Sequence, residues 1–257
     1  MATLAYRVVR NSQIADSLLF NRKKKMTRTI IDLSVKIFDG MPVHKNMRPP
    51  FVLPHGTHEA SKARKLGTPE DPMTFASSYF AMNDHIGTHV DAFFHMHPQG
   101  LPIDEMDVSM FMGKAVVFDL RHIPDLGDIS IKDMEDAERK AGVKVDGHVV
   151  LLCTGLHKKY FPSPEVSLRN AGVTAEATHW LADRGSRLHG VEGPSTDRPN
   201  DPTFPSHRAC RDRQITHYEW LCNLEELVGK GVFEFQGIPL NLKGASGSPV
   251  RALAFLD

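Results

Sequence analysis

Apolar residues in this chain come in short runs, rich in β-branched and aromatic side chains and bounded by turn residues. That is the pattern of strands rather than of long amphipathic helices. Such runs predict strands at 29–37, 74–82, 115–120, 148–153, 188–191, 215–221, 232–235 and 250–256. A helical period is read at 130–141, 174–184, 206–213 and 224–229. Ser130 and Thr174 stand where N-caps belong, the first with an acidic residue, Asp133, three positions on. Gly142 and Gly185 stand where helices end. Strands and helices interleave, which favours an α/β fold. No segment repeats with a period of 20 to 50 residues. The Gly- and Pro-rich stretch 193–199 reads as a long functional loop.

A length of 257 residues fits one large domain, or two closely joined ones, able to bury a core without disulfide staples. Lys and Arg together number 31, as do Asp and Glu, so the chain builds no basic field for nucleic acid or an anionic membrane. No apolar run reaches the length of a membrane span. Cys153, Cys210 and Cys222 form no C-x-x-C pair and read as reduced thiols of a cytoplasmic protein, Cys153 as a buried small hydrophobe. Residues 1–25 end in the basic run Arg22-Lys23-Lys24-Lys25 and lack the apolar centre of a signal peptide. They are read as a poorly ordered extension, with Met26 as the natural start and 26–257 as the folded unit. A basic targeting arm is the rival reading, which the shortness of the charge run disfavours.

Histidine is the outlier, with 14 copies. The densest group is Asn83-Asp84-His85-Ile86-Gly87-Thr88-His89-Val90-Asp91-Ala92-Phe93-Phe94-His95-Met96-His97. His85, His89 and Asp91 offer imidazole, imidazole and carboxylate over a few residues, a donor set suited to Zn, Mn or Fe. Gly87 disfavours a helix interior by roughly 1 kcal/mol relative to Ala. A tight loop turning the three side chains inward is expected, with Gly87 free to take a positive φ. The Thr88 hydroxyl is read as able to orient a ligand, and His95 or His97 as able to move protons near neutral pH. A lone histidine is more often a satisfied core or surface group; this grouping favours metal. A weaker cluster, Ser206-His207-Arg208 and Thr216-His217-Tyr218-Glu219-Trp220, gains meaning only if the fold brings His207 and Glu219 to the first.

The run from His85 to His95 resembles the signature His-x-Gly-Thr-His-x-Asp-x-Pro-x-His of the cyclase family of metal hydrolases, the family of bacterial kynurenine formamidase and isatin hydrolase. Phe93 stands where the signature has proline. Ile31-Asp32-Leu33-Ser34, Asp39-Gly40-Met41-Pro42, Asn223-Leu224-Glu225-Glu226-Leu227 and Gly247-Ser248-Pro249-Val250-Arg251-Ala252 also look like family segments, so the resemblance spans roughly 29–256. It implies an α/β fold with a swivelling β/β/α core and mixed sheet in a single domain, and a homodimer or homotetramer. It implies His85, His89 and Asp91 as ligands of one metal, and Asp91, His207 and Glu219 as completing a second where two zinc ions are used. Other members work with one manganese. His95 matches the proton-transfer residue.

The implied chemistry is hydrolysis of a small-molecule amide, cyclic amide, lactone, carbamate or arylformamide by metal-activated water. His95 protonates the leaving atom, and Phe93, Phe94 and Arg251 contact the substrate. Arg198 is read as a loop salt bridge. No Gly-x-Ser-x-Gly elbow supports a serine nucleophile. Two rivals stand beside this reading: a non-haem iron oxygenase with a two-histidine, one-carboxylate site, and a non-catalytic metal-binding protein on the same scaffold.

Overall fold

The computed structural model describes residues 5–8 and 27–257. Apart from the strand at 5–8, the extension read at 1–25 and the start read at Met26 lie outside the described residues. Ten strands form one sheet. In chain order they are β1 (Ala5–Val8), β2 (Thr27–Asp32), β3 (His89–Asp91), β4 (Met112–Asp119), β5 (Val149–Cys153), β6 (Leu188–Val191), β7 (Thr216–Glu219), β8 (Phe233–Gln236), β9 (Gly247–Pro249) and β10 (Leu253–Leu256). Their spatial order is β1-β2-β10-β8-β4-β5-β6-β7-β3-β9. The centre, β4 to β7, is parallel, while β2, β10 and β8 on one flank and β3 and β9 on the other pair antiparallel. Bridges Ser34–Leu221 and Pro239–Val250 join chain beyond β2 to chain beyond β7, and chain beyond β8 to chain beyond β9. The sheet therefore curls around an interior.

Period-two alternation places the core on both faces of the central strands. Ala115, Val117, Leu151 and Cys153 face the interior of the curl with Tyr218, Phe235 and Leu33. Val116, Phe118, Val150 and Leu152 face the other way, onto Met134 and Ala137 of α2 (Ile131–Ala141) and Ala177, Trp180 and Leu181 of α3 (Ala175–Asp183). A short helix α1 (Phe93–Met96) follows β3, and α4 (Pro205–Arg213) precedes β7. The expected mixed α/β arrangement is observed, built on a single curled sheet. No helix among the described residues is long and apolar enough to cross a membrane.

The predicted caps act as expected at α2. Ser130 and Asp133 cap each other's backbone N–H, and Gly142 ends the helix at φ +67°. Thr174 caps α3 through the Ala177 N–H at 3.1 Å. The helix read at 224–229 shrinks to a single 3-10 turn, Leu224–Glu226, entered from a left-handed Asn223 with no side-chain cap. So short a segment has too few hydrogen bonds to offset its nucleation. Several short strands went unread, among them β3, where a tight loop was expected. Phe51–Gly56 carries Pro54 and pairs with Ser77–Ala81 through a register shift, forming a separate two-stranded sheet. β9 is a Gly-Ser-Pro edge strand.

Candidate metal centre

The site begins with a sharp turn before β3. The Asn83 side chain accepts the His85 N–H at 2.9 Å, and Gly87 takes φ +69° with the Ile37 side chain packed where a Cβ would stand. The Thr88 hydroxyl bonds backbone rather than a donor side chain. It accepts the Val35 N–H at 2.9 Å and donates to the Trp220 carbonyl at 2.5 Å, pinning the turn to the chain after β2 and β7. β3 then runs antiparallel to β7, with His89 directly opposite Glu219. Alternation sends Val90 into the core and leaves His89 and Asp91 on the opposite face. The same rule brings His217 to the face of Glu219, two residues on. A weak signal in the sequence thus becomes a strong one in the sheet: His-x-Asp on one strand meets His-x-Glu on its neighbour.

His89, Asp91, His217 and Glu219 are all buried. His89 Nδ1 donates to the Gly87 carbonyl at 2.8 Å, which leaves Nε2 facing Asp91 Oδ1 at 3.5 Å and Glu219 Oε2 at 3.4 Å. His217 Nε2 lies 3.2 Å from both Asp91 Oδ2 and Glu219 Oε1. Neither Nε2 has a hydrogen-bond partner among the described residues. His207 comes from α4, its Nε2 3.7 Å from Asp91 Oδ2 and 4.0 Å from Glu219 Oε1. The carboxylate that orients it is Asp197. Asp197 accepts the Ser206 N–H at 2.7 Å, capping the start of α4, and the His207 Nδ1–H at 2.5 Å. His97 stays outside the donor set: its Nδ1 accepts the Gln99 N–H at 3.1 Å, and its side chain lines an outer cavity.

Four donors bound about 2.0–2.2 Å from one tetrahedral ion stand roughly 3.3–3.6 Å apart. The Nε2 atoms of His89 and His217 lie 3.2–3.5 Å from carboxylate oxygens of Asp91 and Glu219, close to that spacing, and with no hydrogen-bond partner among the described residues they are nitrogens an ion would satisfy. The residues present therefore fit a divalent metal. Asp91, His207, His217 and Glu219 form one candidate donor group; His85, Asp91 and His95 form another, with Asp91 shared.

His85 belongs to the second group and reaches beyond it. Its Nδ1 is 2.8 Å from Asp91 Oδ1, and its Nε2 is 2.9 Å from the Ser246 hydroxyl, which Asp84 holds at 2.8 Å. His95, on α1, stands at the mouth, a third exposed, with Nε2 3.7 Å from Asp91 Oδ2 and its ring 4.2 Å from that of His85. Burial lowers its pKa; Asp91 pulls the other way, and His85 and His207 add to the lowering. Burial alone would strip the proton from His89, but the adjacent carboxylates of Asp91 and Glu219 push its pKa up to about 10. Burial likewise opposes the charge on Glu219, yet His217 and His89 hold it down at about 2. The carboxylates stay ionised and demand cationic partners.

The family model described as putative cyclase matches residues 31–198. The chain belongs to the cyclase family. It is 30% identical over 174 residues to a kynurenine formamidase of Bacillus cereus (strain ZK / E33L), covering 67% of this chain and 76% of that protein. The likeness to the kynurenine formamidase of Bacillus cereus (strain ATCC 14579) is 31% over the same shares. In fold, this cyclase-family chain resembles an isatin hydrolase bound to the product analogue thioisatinate, with a TM-score of 0.75 at 21% identity, over 88% of this chain and 92% of that one. It also resembles isatin hydrolase A from Ralstonia solanacearum, at 0.76 and 23%, over 89% and 92%.

The fold brings together His85, His89, Asp91, His95, His207 and Glu219, as the family resemblance implied. It adds His217 and Asp197, which the sequence reading did not single out. Behind them His189 stacks on His217 at 5.4 Å, and Cys210 Sγ lies 3.7 Å from His217 Nδ1. Of the residues read as substrate contacts, Phe93 lines the outer cavity and Phe94 is exposed. Arg251 is engaged by Asp32, its Nε 2.8 Å from Oδ1. Arg198 makes the loop salt bridges read for it, to Asp128 at 3.2 Å and Asp201 at 3.5 Å. The donor set exceeds the two imidazoles and one carboxylate of an oxygenase triad.

Proposed function

We propose that the protein is a metal-dependent hydrolase that opens the acyl bond of a small-molecule amide, cyclic amide, lactone, carbamate or arylformamide. The observation that carries this reading is the pair of buried, unpartnered Nε2 atoms of His89 and His217 facing the carboxylates of Asp91 and Glu219. His85, His89, Asp91, His207, His217 and Glu219 would hold one or two ions, Zn or Mn. Such an ion supplies a water of pKa near 7 and polarises the substrate carbonyl.

The residues do the rest. Asp91 and Glu219 fix charge and geometry in a pocket closed by the core, and Asp197 holds the His207 ring. His95 Nε2, at the mouth, takes a proton from the attacking water as its oxygen bonds to the carbonyl carbon, and returns that proton to the leaving nitrogen or oxygen as the acyl bond breaks. The thiols are poor nucleophiles. Burial pushes Cys222 up to about 12 and raises Cys153 and Cys210 as well.

The kynurenine formamidase relatives make an arylformamide the first substrate to try. Wild type should hydrolyse N-formylkynurenine, isatin or a lactone in a metal-dependent way, and His95→Ala should lower kcat by about 10²–10⁴-fold. No turnover with any of them, with Zn and Mn both supplied, overturns the reading. The same reading takes the protein as a cytoplasmic homodimer or homotetramer. The buried thiols support the first part. The second is supported by the two-stranded sheet that exposes Phe51, Leu53 and Tyr79 on one face.

A further inference from the structure

Beside the metal centre lies a cavity of about 250 Å³, lined by His95, Met96, Phe204, His207, Arg208 and Arg211. It touches the centre directly, since His95 and His207 belong to both. Its two arginines differ. Arg211 is committed to the Asp212 carboxylate at 2.8 Å, whereas the Arg208 guanidinium has no hydrogen bond or ion pair with any described residue. Arg208 follows His207 on α4, so its position along the cavity is set by the same helix that delivers a metal donor.

The apolar wall is also built. Phe204 lines the cavity with its ring edge-on to His207, centroids 5.7 Å apart. It holds φ +48°, a left-handed conformation that a bulky residue keeps only where its surroundings impose it. Met96 completes the wall with an adaptable thioether. The cavity thus offers a flat apolar face, one uncommitted guanidinium and a proton donor around a single space.

We propose that this cavity takes an aromatic amide bearing a carboxylate, with the ring against Phe204 and Met96, the carboxylate on Arg208 and the leaving atom toward His95. Arg208 then determines specificity. This rests on the hydrolase reading above and narrows it. A guanidinium fork matches a carboxylate bidentately and stays charged at every working pH, so it selects the anionic member of a matched pair.

The test measures binding and turnover in parallel on the metal-loaded full chain. Benzoate and benzamide are titrated by calorimetry into wild type, Arg208→Met and Arg208→Lys. N-formylanthranilate and formanilide are assayed as substrates. Loss of a charge-assisted pair should weaken benzoate, and raise KM for N-formylanthranilate, by about 10- to 100-fold in Arg208→Met. Benzamide affinity, formanilide kinetics, kcat and metal content should stay within about twofold, with Arg208→Lys intermediate. Equal benzoate affinity in wild type and Arg208→Met, or a parallel loss for both members of each pair, overturns the proposal. If neither formamide is hydrolysed but benzoate still loses affinity selectively, the hydrolase reading fails and the anion site stands.

Discussion

Both oxygens of Asp91 are committed, and in different directions. Oδ1 lies 2.8 Å from His85 and 3.5 Å from His89, while Oδ2 lies within 3.7 Å of His95, His207 and His217. One carboxylate thus ties the two donor groups into one centre. Asp197 acts at one remove, since its hydrogen bond fixes which His207 nitrogen faces the site. Asp197→Asn should weaken metal affinity by about 10- to 100-fold, read by competition with a chromogenic chelator; an unchanged affinity would reduce Asp197 to a helix cap. Away from the centre, Glu192 is buried, with Thr154 N, Thr154 Oγ1 and Gly155 N all donating to Oε2. Burial outweighs those bonds and pushes its pKa up from 4.5 to about 7. The folded state therefore keeps a proton that the unfolded state has lost, and the resulting stability is full below pH 4.5 and lost as pH rises through about 7. The effect is on the order of 3 kcal/mol. Urea unfolding across that window should show wild-type stability falling while Glu192→Gln does not fall with it; parallel curves contradict the assignment. At this scale the sequence showed His85, His89 and Asp91 by their crowding. It hid His217, which is one histidine in an ordinary strand until its neighbours are known, and Asp197, which is one acid in a loop.

The centre exists because two short strands alternate in phase. β3 presents His89 and Asp91, β7 presents His217 and Glu219, and the antiparallel register sets His89 opposite Glu219. β9 closes the other edge of β3, with Gly247 opposite Asp91. A Cβ at Gly247 would stand 2.7 Å from His85 Cε1 and 2.9 Å from the Val90 carbonyl. Gly247→Ala should therefore displace His85 and lower metal occupancy while leaving the two core faces intact, as metal analysis alongside thermal unfolding would register; full occupancy would mean the strand can yield. The central strands and the capped helix α2 were legible because burial on both faces and cap chemistry write themselves into local sequence. β9 and the strand at 51–56 were not, since Gly and Pro mark turns in local terms and only pairing across the molecule makes them strands.

At the scale of the molecule, the curl of the sheet is what makes a site from segments far apart in the chain. His85 to His95, Asp197 to His207 and His217 to Glu219 meet where the end of the parallel centre meets its antiparallel flank. This could not be read from spacing, because His207 and Glu219 mean little until the topology joins them to the first motif; only the family resemblance pointed that way. The two-stranded sheet with Phe51, Leu53 and Tyr79 exposed on one face belongs to the same scale, and light scattering that finds only monomer would contradict the oligomer reading. The most direct test of the whole account is the metal content of purified protein, by plasma mass spectrometry, for wild type and Asp91→Asn with folding checked by circular dichroism. The account predicts one to two equivalents of Zn or Mn in wild type and close to none in folded Asp91→Asn. A wild type that takes up no ion when Zn and Mn are offered, or an Asp91→Asn that holds as much, would contradict it.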